Sequence, residues 1–185
     1  MNNYLIFTPP RTGRNFLQMG FNYCTSFWIE SNNSDSNLDL TQFDMVFSIA
    51  RDPKDSVASL SAMIKDKPNV SLLQDIQSAL NKYNDFMKKI NDNDVYLYNY
   101  NDLINNTENI FYDIAKKINV KIKKQYDYQE MFNIMMDFEK NNVHGYKKTF
   151  TKEQKYQDVL RVIDKIDFNN AYKLYNQALN KTIKL

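Results

Sequence analysis

Two short stretches of this 185-residue chain gather groups that can hold an anion. In the first, Thr8-Pro9-Pro10-Arg11-Thr12-Gly13-Arg14-Asn15 follows the apolar Tyr4-Leu5-Ile6-Phe7 and leads directly into a helical pattern. A strand–loop–helix junction aims free backbone N–H groups and the positive end of a helix at one point. Arg11 and Arg14 add charge, Thr12 and Asn15 add donors, and Gly13 permits the tight turn. Taken alone, this loop reads equally as an ordinary turn with two solvated arginines. In the second stretch, Arg51-Asp52-Pro53-Lys54-Asp55-Ser56-Val57-Ala58-Ser59 puts an arginine at the end of an apolar run and a serine two turns into the helix that follows.

The elements that must position these loops are legible from pattern. Residues 4–7 are a short β-favouring run, stopped where proline can neither donate to a ladder nor let its predecessor turn helical. Residues 15–26 read as a mostly buried helix, 27–29 as a second short strand, and 31–37 as a polar loop. Residues 44–50 are apolar nearly throughout, as in a strand covered on both faces. Asp52 as N-cap, Pro53 in the first helical position and Asp55 in the first turn start a helix running to about residue 65. A helix over 71–90, a strand over 94–100 and a helix over 106–118 capped by Asn106-Thr107 follow. Residues 129–138 read as helical and 140–149 as a basic loop, and Thr151 with Gln154 forms a capping-box signature before further helices. Strands alternating with helices predict an α/β fold: one domain over 1–185, a short central parallel sheet between two layers of helices. Such sheets bind ligands beyond the carboxyl ends of their strands.

Composition removes several kinds of chemistry. One cysteine, Cys24, excludes an internal disulfide and multi-cysteine metal sites and suggests a reducing compartment. One histidine, His144, excludes two-histidine metal motifs, so no metal is expected. With glycine only at positions 13, 20 and 145, neither the dinucleotide fingerprint nor the Walker lysine loop can be written. Net charge is +2, with 24 basic and 22 acidic side chains, which gives no bulk attraction to nucleic acid or membrane. The apolar run at the start is too short for a signal peptide, and nothing approaches ~18 consecutive apolar residues. The expectation is a soluble, cytoplasmic protein.

The two loops together resemble the nucleotide-binding motifs of sulfotransferases that use 3′-phosphoadenosine 5′-phosphosulfate (PAPS). Arg51, Pro53, Asp55 and Ser59 match every fixed position of that family's 3′-phosphate motif, Arg-x-Pro-x-Asp-x-x-x-Ser. Pro10-Arg11-Thr12-Gly13 resembles the 5′-phosphosulfate loop, departing at Arg14 and Asn15, where the family has threonines. Residues 95–103 are similar to the strand ending in Tyr-Glu-Asp-Leu, and Gly145-Tyr146-Lys147-Lys148-Thr149-Phe150-Thr151 resembles the basic lid, with Lys140 a substitute for its missing Arg-Lys-Gly start.

The resemblance implies a P-loop NTPase-like sulfotransferase fold and transfer of a sulfuryl group from PAPS to a hydroxyl, phenol or amine acceptor, leaving 3′-phosphoadenosine 5′-phosphate (PAP). By that resemblance Pro10, Arg11, Thr12, Gly13, Arg14 and Asn15 cradle the 5′-phosphosulfate, with Arg11 assisting departure of the bridging oxygen. Arg51 and Ser59 hold the 3′-phosphate, and Tyr146 and Lys147, with Lys140 or Lys148, close over the nucleotide. The base is Glu30, placed like the catalytic glutamate of the protein-tyrosine branch, or else His144, whose ordinary pKa of ~6.5 suits the role. Two other readings stand beside it: a non-catalytic nucleotide-binding protein, and a small P-loop-like kinase.

Overall fold

A computed structural model describes residues 3–63, 71–141 and 149–183, with side chains described outside 135–153. Four short strands, β1 (Tyr4–Phe7), β2 (Glu30–Asn32), β3 (Met45–Ala50) and β4 (Tyr96–Asn99), form an all-parallel sheet in the order β2-β1-β3-β4. The helices are α1 (Arg14–Thr25), α2 (Pro53–Ser61), α3 (Leu72–Asp92), α4 (Tyr100–Asn105), α5 (Thr107–Lys117), α6 (Tyr128–Asn141), α7 (Thr149–Val162) and α8 (Asn169–Leu179). The α/β class, the parallel sheet and its helical layers are as the alternating pattern predicts.

Strand alternation sorts the core into two halves. Tyr4, Ile6, Phe47, Ile49 and Tyr98 face α1 and α5, meeting Leu17, Phe21, Ile110, Phe111 and Ile114. Leu5, Phe7, Val46, Ala50 and Leu97 face α2, α3, α7 and α8, meeting Val57, Ile76, Phe86 and Val159. Both faces of the sheet are therefore covered, which is why residues 44–50 carry no polar alternation. Phe7 stacks on Phe86 with centroids 4.7 Å apart, and truncating either ring would cost about 3–5 kcal/mol.

Helix starts follow their capping residues where those are present. Asp52 accepts from the N–H groups of Lys54 and Asp55 at 2.9 and 3.2 Å, with Pro53 opening α2. Ser71 and Gln74 form a reciprocal capping box at the start of α3.

Several expectations are corrected. The second strand is not 27–29 but Glu30–Asn32, cutting into the expected loop over 31–37. Ser26 ends α1 in the left-handed conformation, and Gln18, buried on α1, donates to the Ile29 carbonyl at 2.6 Å and accepts from Ser31 at 2.9 Å. Those bonds, and the pairing of Leu5 with Glu30, set the strand three residues later than apolar content suggests. The strand expected over 94–100 stops at Asn99, whose side chain accepts from the Asn101 N–H and starts α4, a helix not anticipated. The helix expected to reach 65 ends at Ser61, and residues 64 and 65 lie outside the described segments. Lys140 belongs to α6, not to a loop, and α7 begins at Thr149, so Thr151 is inside a helix and not its N-cap.

Candidate functional site

The sheet order places a switch point at the carboxyl ends of β1 and β3. From β1 the chain crosses to β2 on one side, then returns to β3 on the other, so α1 and α2 depart to opposite faces. The gap left between such diverging connections is where open parallel sheets bind ligands. The loop over 8–13 borders that gap on one side and Arg51 on the other.

The loop is held by bonds that consume its carbonyls. Arg11 sits in the left-handed region at φ 66°, and its carbonyl accepts from Arg51 Nη1 at 2.8 Å. The Pro10 carbonyl accepts from Ser56 Oγ at 2.9 Å and the Pro9 carbonyl from Thr12 Oγ1 at 2.7 Å. Arg11 Nε donates to Ser59 Oγ at 3.0 Å, tying the loop to α2 a second time. Gly13, at φ 92°, is the N-cap of α1 and supplies no side-chain cap to the first-turn N–H groups. A methyl group at Gly13 would lie 2.7 Å from Leu103 Cδ2 and 3.3 Å from the Tyr100 ring, so any side chain there must displace the end of Leu103.

Arg51 is fixed at both ends. Its carbonyl accepts from Tyr83 Oη at 2.8 Å, and burial pushes that phenol far above its ordinary range, so it remains a donor at any ordinary pH. Its guanidinium carbon lies 4.5 Å from the centre of the Tyr100 ring, a cation–π arrangement. Arg51 Nε is buried and has no hydrogen-bond partner among the described residues. A buried, charged donor without an acceptor is costly, and an anion beside Arg51 would supply one.

A cleft of about 220 Å³ opens between these groups, walled by Arg11, Arg14, Arg51, Asn15, Asn33 and Tyr100, with Gly13 and Phe16 completing it. Its described lining holds three guanidinium groups and no carboxylate. Neither Arg11 nor Arg51 makes an ion pair with a described residue. Arg14 donates from Nε and Nη2 to Asn15 Oδ1 at 3.0 and 2.7 Å, which leaves the Asn15 amide NH₂ available. A second cleft, about 420 Å³, lies across the Arg51–Tyr100 pair and shares both residues as its wall.

The structure thus brings Pro10, Arg11, Gly13, Arg14, Asn15, Arg51 and Ser59 to one place. Thr12 is fully buried with its hydroxyl spent on Pro9, leaving its backbone as what it can offer. Glu30 is not at the cleft: it opens β2 opposite Leu5, about 7 Å down the strand from Asn32, and the residue of that connection reaching the cleft is Asn33. His144, Gly145, Tyr146, Lys147 and Lys148 lie outside the described residues, and Lys140 is described only as backbone of α6. The sequence assigns no role to Asn33 or Phe16 and takes Tyr100 only as part of the strand-end motif over 95–103. Asn33 stands just past the carboxyl end of β2, the one signal that could have nominated it, and Tyr100 stands just past that of β4.

No family model matches the chain, and no curated protein matches it. No described helix is long and apolar enough to cross a membrane.

Proposed function

We propose that this chain is a PAPS-dependent sulfotransferase of the P-loop-like sulfotransferase fold. The observation that carries the reading is the join between the two loops: Arg51 Nη1 reaches the Arg11 carbonyl at 2.8 Å across the switch point, beside a cleft lined by cations. One loop is built like a 5′-phosphosulfate cradle and the other like a 3′-phosphate grip, and a single nucleotide with anions at both ends would satisfy both. The uncapped start of α1 and the unpartnered Arg51 Nε are donors of the kind such anions need.

Sulfuryl transfer asks for in-line alignment and stabilised charge on the transferred and leaving oxygens. The acceptor oxygen bonds to sulfur, the bond from sulfur to the bridging oxygen breaks, PAP leaves with that electron pair, and the acceptor proton passes to a base. Arg11 and Arg14, both lining the cleft, would neutralise the bridging and equatorial oxygens. Of the two bases the resemblance implies, Glu30 stands away from the cleft, so His144 is the proposed base: His144→Ala should lose transfer while still binding PAP, and Glu30→Gln should keep both.

A non-catalytic binder of the same nucleotide is the second reading. It is favoured by Arg14 and Asn15 in place of threonines and by a cleft whose described lining holds no carboxylate or imidazole. Calorimetric titration with PAP and with ATP, followed by transfer of radiolabelled sulfate from PAPS to a panel of hydroxyl and phenol acceptors, tests both. PAP binding with label transfer supports the enzyme, PAP binding without transfer the binder, and preference for ATP contradicts both.

A further inference from the structure

We propose that Ser56, near the start of α2, is a positioning residue for the 5′-phosphosulfate loop: its hydroxyl holds the Pro10 carbonyl and thereby aims the Arg11 N–H at the anion that the loop takes. The inference rests on the nucleotide reading above and extends it to a residue outside both motifs, since the 3′-phosphate pattern leaves position 56 open between Asp55 and Ser59. Ser56 is 1 % exposed, and its hydroxyl donates at 2.9 Å to a carbonyl 46 residues away in the chain.

That bond is made in preference to a local one. A buried serine or threonine in a helix commonly gives its proton to the carbonyl four residues back. Thr25 does so to Phe21 at 2.7 Å, Ser61 to Val57 at 2.8 Å and Thr107 to Leu103 at 2.6 Å. For Ser56 the same acceptor is at hand, because the Asp52 carbonyl takes the Ser56 N–H at 3.0 Å, yet the hydroxyl crosses to the loop. Three donors hold the loop carbonyls: Thr12, Ser56 and Arg51. Thr12 belongs to the loop itself and Arg51 is called on by the 3′-phosphate, which leaves Ser56 as the outside tether that a bound nucleotide does not recruit.

What the tether sets is the direction of a donor. Across a trans peptide the carbonyl and the N–H that follows it point in opposite directions, and no described peptide bond is cis. With the Pro10 carbonyl drawn to α2, the Arg11 N–H is turned away from that helix, and it has no partner among the described residues. Arg11 at φ 66° and Gly13 at φ 92° are left-handed, a conformation that helps gather successive N–H groups into an anion-binding concavity, and both residues line the first cleft. Loss of the hydroxyl leaves a buried carbonyl unpaired, so the peptide turns to find another donor and the N–H on its far side is misdirected.

The test compares adenosine 3′,5′-bisphosphate with adenosine 3′-monophosphate, which lacks the anion at the 5′ end, by calorimetry on the full chain. Wild type should prefer the bisphosphate by at least about tenfold. Ser56→Ala should lose about tenfold for the bisphosphate, the low end for one hydrogen bond to a charged group, and leave the 3′-monophosphate within about twofold. Ser56→Thr keeps the donor and should keep the preference. Ser61→Ala removes a buried hydroxyl whose bond stays within α2, and should change neither affinity. Ser56→Cys, close in size but only a weak donor, is read in the same way as alanine if the alanine chain does not fold. A preference unchanged in Ser56→Ala, equal weakening of both probes, or an equal loss in Ser56→Thr or Ser61→Ala overturns the assignment of Ser56 while the nucleotide reading stands. Binding of neither probe by the wild type, or its indifference to the 5′-phosphate, overturns the nucleotide reading and this inference with it.

Discussion

Gly13 is the position where backbone and packing argue most strongly for one residue, so Gly13→Ala is a quantitative test of the loop. The chain there has φ 92°, and a left-handed conformation costs a non-glycine residue about 1–2 kcal/mol. The new methyl group would also stand 2.7 Å from Leu103 Cδ2 and 3.3 Å from Tyr100 Cε2. Leu103 is fully buried, so moving the end of its side chain in packed surroundings adds about 1–3 kcal/mol, as overpacking does elsewhere. Together the loss is about 3 kcal/mol, or about 6–12 °C in Tm for a chain of this size. The same methyl group presses on the Tyr100 ring at 3.3 Å, and displacing that ring from beside Arg51 should lower affinity for PAP as well. Urea denaturation followed at equilibrium, with calorimetry on the folded fraction, reads both quantities. A stability loss below about 1 kcal/mol with PAP affinity unchanged would refute the argument that bare backbone at Gly13 seats Tyr100 and the loop together.

Other positions give sharper single outcomes. Tyr83→Phe removes the donor to the Arg51 carbonyl and should cost about 1 kcal/mol of stability together with a severalfold loss of PAP affinity; unchanged affinity by calorimetry would show that this bond does not position Arg51. Ser48, fully buried on β3, has a hydroxyl with no partner, so Ser48→Ala should be neutral or raise stability by up to about 1 kcal/mol in urea melts, and a clear loss would mean the hydroxyl is satisfied. Burial pushes the Cys24 thiol from 9.0 up to about 11, with Glu108 nearby adding to the shift, so at pH 8 about one native molecule in a thousand is thiolate and a thiol reagent should react only after denaturation. Because the unfolded chain gives up that proton first, the stability tied to the neutral thiol is intact below about pH 9 and drains as pH rises toward about 11; pH-dependent melts of wild type and Cys24→Ser should diverge in that window alone.

How much of this was legible in the residues follows from what each signal depends on. The strand over 4–7, the apolar strand before Arg51 and the Asp52-Pro53 helix start rest on local chemistry, and all are where pattern places them. The convergence of Pro10, Arg11, Gly13, Arg14, Asn15, Arg51 and Ser59 follows from those elements once β1 and β3 are parallel neighbours. β2 was misplaced because the residues favouring a strand, Phe27-Trp28-Ile29, are not those that pair; a buried side chain on another element, Gln18, sets the register, and Trp28 is left 55 % exposed. Moving the strand to Glu30–Asn32 also moves Glu30 to its start, away from the cleft, which could not be seen without the register. Tyr100 is legible only as part of the motif over 95–103, and its contacts are not, because they are tertiary: one flank lies near Gly13, its ring supports Arg51, and neither relation has a fixed spacing in sequence.

The central claim is that two strand ends grip two anions of one molecule, and the most direct measurement compares adenosine 3′,5′-bisphosphate with adenosine 5′-monophosphate on wild type and on Arg51→Ala. Wild type should prefer the bisphosphate by about 10–100-fold, the range for one or two charge-assisted bonds to phosphate, and Arg51→Ala should abolish most of that preference while 5′-monophosphate binding persists. A wild type indifferent to the 3′-phosphate, or a preference that survives the loss of Arg51, would contradict it.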